Sequence, residues 1–311
     1  MYDTINFRLT AKDACNIDFL EETPCYLNNI AHHIFSGVPV VTGDLGGLKV
    51  VASEWQVKVK DASLCKWYLG DNFQELGRGT TQQAIEKLSD DLHLPMDRAT
   101  ITRLDVGVNI ITQHPPATYL NHLGVLAHAQ RLQQPKGLYY SKRDEMLCFY
   151  DKVMECKAHN ELLPPLYRGR NVLRYEQRYM HRIHSRLKVP AVTGATLYDE
   201  AFYMAVLERF FKTYKAIKKI NDIKPNFKIM KGRKDFQRMG VLSLIERLGG
   251  EIELTNQINE ARQRGELTIK QAHDLRDGIK QACKTKVGLV VPNEQITELD
   301  KKLYEAVKFY R

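Results

Sequence analysis

The chain predicts an α+β fold: a mainly antiparallel sheet with flanking helices, followed by a helical C-terminal region. Three observations carry this. Short apolar runs with period two recur through the first part of the chain, two of them flank a charged turn as a hairpin would, and from Tyr198 onward apolar residues recur at helical spacing instead.

The elements follow in order. MYDTINFRLT reads as a strand from its first residues. GGLKVVASEWQVKVKDASLCKWYLGD, Gly46 to Asp71, alternates and is β-branched, which predicts two strands joined near Lys60 to Ser63. TTQQAIEKLSDDLHL, Thr80 to Leu94, has Ala84, Leu88 and Leu92 at helical spacing with threonines available as caps, and Pro95 stops it. ATITRLDVGVNI alternates cleanly: Leu104, Val106, Val108 and Ile110 face one way, Arg103, Asp105 and Asn109 the other. Ala117 to Leu132 reads as a helix. GLYYSKRDEMLCFYDK reads as a hairpin turning at Lys142 to Glu145, and VLRYEQRYMHRIHSRLK opens as a strand with Arg174, Glu176 and Arg178 on one face. Pro190 follows, and the domain boundary is expected here, giving residues 1–195 and a helical, basic unit over 196–311. Within the second unit, VLSLIERLGG and the stretch to Lys284 predict short helices, with Thr268 as a cap, that form either a helix-turn-helix or a packing module.

The totals narrow the function. Lys and Arg number 46 against 37 Asp and Glu, a formal charge of +9 that favours an anionic partner such as nucleic acid or a membrane surface. No stretch approaches the roughly 20 continuous apolar residues of a membrane span, and no basic-then-apolar leader opens the chain. A cytosolic protein is expected. The six cysteines form no C-x-x-C pair and no zinc spacing, so reduced, structural thiols are expected, and the ten histidines include no His-hydrophobic-His triplet.

Three polar strand faces carry the chemistry: Arg103 with Asp105, Tyr150 with Lys152, and Arg174 with Glu176 and Arg178. Carboxylates are disfavoured inside strands. Two of them beside a Tyr-x-Lys outline a phosphoryl-transfer site, with hard oxygens suited to Mg²⁺ or Mn²⁺ and arginines that grip phosphate bidentately. A tyrosine closing a strand can also be purely structural, and two rival readings follow from that. One is a non-catalytic nucleic-acid-binding protein that stacks bases on Trp67, Tyr139, Tyr140 and Tyr175; the other is a metal-dependent nuclease that uses water as nucleophile.

ITRLDVGVN at 101–109, YDKVME at 150–155 and VLRYEQR at 172–178 together resemble the replication initiators of filamentous phages, the gene II/X type, and more distantly those of rolling-circle plasmids. The resemblance covers Met1 to about Lys188. It implies a relaxase- or RRM-like palm in which Tyr150 attacks a phosphodiester at the origin, leaving a 5′-phosphotyrosine and a free 3′-hydroxyl, with later strand joining. Lys152, two residues on and expected on the same strand face, supplies charge or takes the proton. Asp105 and Glu176 hold the divalent ion; Glu155 joins them only if the chain turns after Lys152. Arg103, Arg174, Arg178, Lys142 and Arg143, with Lys218, Lys219, Lys231 and Lys234 of the basic tract, are expected to contact DNA. The implied partners are single-stranded and duplex origin DNA and a host replication helicase and polymerase, in the cytoplasm of a bacterial host cell. Whether Tyr150, Tyr139, Tyr140 or water completes the second transfer is left open by the sequence.

Overall fold

The computed structural model describes residues 1–60, 63–220, 230–284 and 293–311. The chain runs β1 (Tyr2–Thr10), α1 (Phe19–Glu22), β2 (Asn28–Phe35), β3 (Val38–Leu45), β4 (Leu48–Ser53), β5 (Gln56–Lys60), α2 (Leu64–Leu69), α3 (Arg78–Leu92), β6 (Thr100–Thr112), α4 (Pro116–Leu120), β7 (Gln130–Gln134), β8 (Gly137–Ser141), β9 (Glu145–Asp151), α5 (Lys152–Ala158), β10 (Asn171–Tyr179), α6 (Ile183–Leu187), α7 (Gly194–Tyr198), α8 (Glu200–Ala216), α9 (Arg233–Arg247), α10 (Gly250–Gln263), α11 (Ile269–Lys284) and α12 (Glu294–Phe309). The strands form one antiparallel sheet in the order β2-β3-β4-β5-β1-β6-β10-β9-β8-β7. The expected α+β class holds. β6, the longest strand, lies between β1 and β10, so the alternation of Leu104, Val106, Val108 and Ile110 against Arg103 and Asp105 sets which side of the centre is core.

Helices α8 and α12 cover the apolar face. Phe149, Tyr175 and Phe210 stack in series at 4.5 and 4.2 Å between ring centroids, Tyr2 meets Tyr203 edge-on, and Leu299, Leu303 and Val307 join the same core. Each such side chain contributes about 1.5–3 kcal/mol of burial. Polar ties fix the helices: Tyr214 Oη donates to Asp300 at 2.7 Å and Lys302 Nζ donates to the carbonyl of Ile111 at 2.6 Å. The open face of the sheet carries the polar residues.

Several local expectations are corrected. β4 and β5 turn at Glu54–Trp55, where Ser53 pairs with Gln56, and not near Lys60. LCKWYL is helix α2 because Ser63 Oγ accepts from Lys66 N at 3.0 Å, and a short apolar run does not by itself distinguish a strand from a buried helix. α3 begins after Gly77 without a side-chain cap; Thr80 and Thr81 instead donate back to the Gly77 carbonyl. The helix expected over Ala117 to Leu132 stops at Leu120, since Gly124 N and Val125 O pair with the backbone of Lys218, both at 2.8 Å, and Gln130 onward pairs with β8 as β7. The β2–β3 hairpin was not read from the sequence at all. The Lys142–Glu145 turn and the Thr268 cap, with Gln271 N donating to its Oγ1, are as expected. Of the basic tract from Phe211 to Arg238, residues 221–229 lie outside the described residues.

Candidate active site

Cross-strand register assembles the site. On the open face Arg174 lies opposite Tyr150 on one side and Asn109 on the other, while Arg178 lies opposite Asp105. Two glycines make room. A Cβ on Gly107 would lie 2.9 Å from both Arg174 and Glu176, which pass over it, and one on Gly137 would come within 3.2 Å of Tyr150 Cβ.

Tyr150 Oη donates to Glu176 Oε1 at 2.7 Å. Glu176 has every acceptor direction occupied: Arg174 Nε donates to Oε1 at 3.0 Å, and Arg178 donates to Oε2 through Nε and Nη2 at 2.9 and 2.6 Å. Burial pushes the Glu176 carboxyl up, but Arg174 and Arg178 outweigh it and bring it to about 2. Burial, reinforced by the Glu176 charge, holds the Tyr150 phenol well above its usual value, so the tyrosine is protonated and poised to donate. Asp105 is gripped through two bonds by Arg103, at 3.0 and 2.7 Å, yet burial still pushes its carboxyl up to about 6. Beside Tyr150 opens a groove of about 270 Å³ whose lining mixes the cations Lys136 and Arg178 with the carboxylates of Asp151 and Glu155, together with Tyr139 and His159.

The arginines divide into two kinds. Arg174 is 1% exposed and enclosed by Asp3 at 2.6 Å, Glu75 at 3.5 Å and Glu176, so it braces the carboxylates and is not open to a phosphate. Arg103 and Arg178 are about a third exposed, each paired with a carboxylate of the site. Arg178 Nε stands 2.9 Å from Glu176 Oε2 and 3.8 Å from Asp105 Oδ2, between two carboxylates where a bridging cation would also sit. The hard oxygens of Asp105 and Glu176 are of the donor type that Mg²⁺ or Mn²⁺ takes, and in the structure both carboxylates are paired with arginines.

The other predicted residues are placed differently. β9 ends at Asp151, whose carboxylate caps α5 by accepting from Met154 N at 2.9 Å. Lys152 therefore opens a helix and does not continue the strand face. Its buried ammonium pairs with Glu155 at 2.7 Å beneath the Phe73 ring. Glu155 groups with Cys156 and Glu161, the only His/Cys/Asp/Glu trio among the described residues with ligand atoms mutually within 4.8 Å, and not with Asp105 and Glu176. Lys66 holds Glu161 at 2.6 Å, and burial pushes the Cys156 thiol up to about 11. Lys142 and Arg143 lie at the far end of β9, about 20 Å from Tyr150 by strand rise. Lys219 turns inward, donating to the carbonyls of Tyr214 and Ile217 over the Tyr214 ring, while Lys231 is exposed just before α9 and Lys234 is exposed in its first turn.

Asp3, Glu75 and Tyr310 were missed. Asp3 alone left a signal, a carboxylate inside a strand; Glu75 lies between elements, and Tyr310 Oη reaches it at 2.7 Å from the end of the chain.

The family model for the N-terminal part of the replication-associated protein encoded by phage gene II matches residues 1–198. The chain belongs to this family. It is a filamentous-phage gene II-type protein, and membership carries the role of a rolling-circle replication initiator with endonuclease activity in general terms. Initiators of this kind commonly depend on a metal and bind origin DNA. No individually curated protein matches the chain. No helix among the described residues is long and apolar enough to cross a membrane.

Proposed function

We propose that this initiator nicks origin DNA through Tyr150. The phenolic oxygen attacks the scissile phosphorus, its proton passes to Glu176, and the bond to the 3′-oxygen breaks. The products are a 5′-phosphotyrosine and, after protonation of the leaving oxygen, a free 3′-hydroxyl for a host polymerase; attack by a 3′-hydroxyl on the phosphotyrosine reverses the step and joins strands. The observation that carries this reading is the Tyr150 hydroxyl bonded to Glu176 at the edge of a groove bearing Arg178. Arg103 and Arg178 turn onto phosphate oxygens as DNA arrives, which leaves Asp105 and Glu176 to hold Mg²⁺ or Mn²⁺. That ion supplies charge to polarise the phosphate. The setting is a bacterial host cytoplasm, with single-stranded and duplex origin DNA and a host helicase and polymerase as partners.

One observation weighs against a base-stacking protein. Tyr140 and Tyr175 are fully buried on the core side, where strand parity puts them, so half of the proposed stacking set is closed to nucleic acid. The test is to incubate Tyr150→Phe with single-stranded origin DNA and Mn²⁺ and to resolve covalent adducts by denaturing gel. The wild type is expected to form an adduct and the variant none. Persistent nicking by the variant would support water as nucleophile and end the tyrosine reading.

A further inference from the structure

The open face continues past the site. Beyond β6 it carries Arg8 on β1, Lys58 and Lys60 on β5, and Lys49 on β4. The register puts like charges directly opposite each other: Arg8 against Lys58, and Lys49 against Lys60. Directly opposed cations on one sheet face repel and lower stability. Nothing nearby offsets this for Arg8, Lys49 or Lys58, since among the described residues none of the three makes an ion pair or a side-chain hydrogen bond. Asp44 lies across from Lys49, yet its carboxylate is turned to accept from Gly47 N at 3.0 Å. The opposite faces of the same strands are apolar and buried, so the helices do not reach these cations.

An uncompensated row of cations that runs strand to strand from Arg103 implies an anion laid across the strands. We infer that Arg8, Lys58 and Lys49 form a track for single-stranded DNA flanking the scissile phosphate. The inference rests on the proposed reaction for its starting point at Tyr150. From β6 to β4 is three inter-strand steps of about 4.8 Å, roughly 14 Å, which limits the track to a few phosphates. A single strand fits better than a duplex because its phosphates can follow a twisted sheet one by one. The track extends the contact set without adding to the chemistry: it fixes which side of the nick is gripped and sets how long a substrate must be.

The experiment uses the full-length triple variant Arg8→Gln, Lys49→Gln, Lys58→Gln. Binding is measured by fluorescence anisotropy on origin oligonucleotides that share the nick site and are shortened from one end or the other. On the long oligonucleotide the variant is expected to bind tenfold or more weakly than wild type. Its log–log salt slope should be shallower by about 2, three contacts at roughly 0.7 each. With the oligonucleotide trimmed on the gripped side, variant and wild type should bind alike. Thermal melting of the DNA-free variant should be unchanged or higher, because repulsion has been removed; a lower melting temperature would assign the three residues to structure and overturn the track. Equal affinity and slope on the long oligonucleotide would overturn it too. If length-dependent binding is seen but Tyr150→Phe still forms adduct, the nucleophile assignment fails while the track stands.

Discussion

Asp105→Asn and Glu176→Gln remove the same charge from the same face, yet the structure expects opposite effects on stability. Glu176 is almost fully buried and takes four donors, two from Arg178 and one each from Arg174 and Tyr150. Glutamine leaves one oxygen to serve them and aims an amide N–H at a guanidinium. Removing one partner of a buried ion pair costs about 3–5 kcal/mol, and the lower end applies because Arg174 keeps Asp3 and Glu75. At roughly 2–4 °C per kcal/mol, the melting temperature should fall by about 6–12 °C. Asp105 differs because its carboxyl is pushed up to about 6 by burial, with Arg103 pulling the other way, and Arg103 can turn to water. A folded-state value raised above that of the unfolded chain means that the native state binds the extra proton between about pH 4 and 6. Stability then falls as pH rises through that window, and the cost at pH 7 is about 3 kcal/mol. Asparagine removes it, so Asp105→Asn should lie within about 1 kcal/mol of wild type at pH 7 or above it, and lose about 3 kcal/mol relative to wild type on going to pH 4. Urea unfolding at both pH values measures this. Equal losses for the two variants at pH 7, or no pH dependence in the difference, would refute the account. Both variants should fail to nick, but only Asp105→Asn tests the metal without a loss of fold.

Nicking by the wild type should decline below about pH 6 as Asp105 takes up its proton, whereas salt-dependent binding should not; single-turnover rates in Mn²⁺ from pH 5 to 8 check this. Burial pushes Lys219 down to about 7, so the folded chain releases a proton that the unfolded chain keeps, and wild-type stability should rise as pH goes from 7 towards 10. Lys219→Met should be more stable at pH 7, flatten that rise in chemical denaturation, and leave the salt slope of DNA binding unchanged. Reversing exposed Lys231 and Lys234 to Glu should instead reduce duplex affinity and the salt slope by roughly 1 per contact, and an unchanged slope would leave α9 as a solvated face. A chain cut at residue 195 loses Phe202, Phe210, Leu299 and Leu303 from the core and should be molten by near-ultraviolet dichroism; replacing residues 233–284 with a short linker should keep the fold and single-strand nicking while weakening duplex binding.

What the sequence made legible, and what it hid, divides along one physical line. Period-two alternation is local, so Asp105 opposite in facing to Leu104, and Glu176 flanked by Arg174 and Arg178, were readable as polar faces before any partner was known. Pairing register is not local. That Arg178 lies across from Asp105 and Arg174 across from Tyr150 depends on how β6, β10 and β9 slide past each other, which buried faces and turns decide together. The same limit hid Asp3 and Glu75, which reach Arg174 from distant parts of the chain, and Tyr310, which bonds Glu75, and it hid the like-charge neighbours Arg8 and Lys58, unremarkable on either strand alone. Lys152 failed for a nearer reason. An aspartate just before a short run can close a strand by capping a helix, and Asp151 does so, carrying Lys152 and Glu155 off the sheet face and onto each other. Within the basic tract Lys219 departs for another reason, because charge counts say nothing of direction: it spends its ammonium on backbone carbonyls and a tyrosine ring inside the fold. The C-terminal part of the chain is linked to the site through side chains. Tyr310 at the chain's end bonds Glu75, Glu75 faces Arg174, and Arg174 braces the carboxylate that receives the Tyr150 proton. A change in how α12 docks should therefore reach the nucleophile through three side chains, without any contact of its own with DNA.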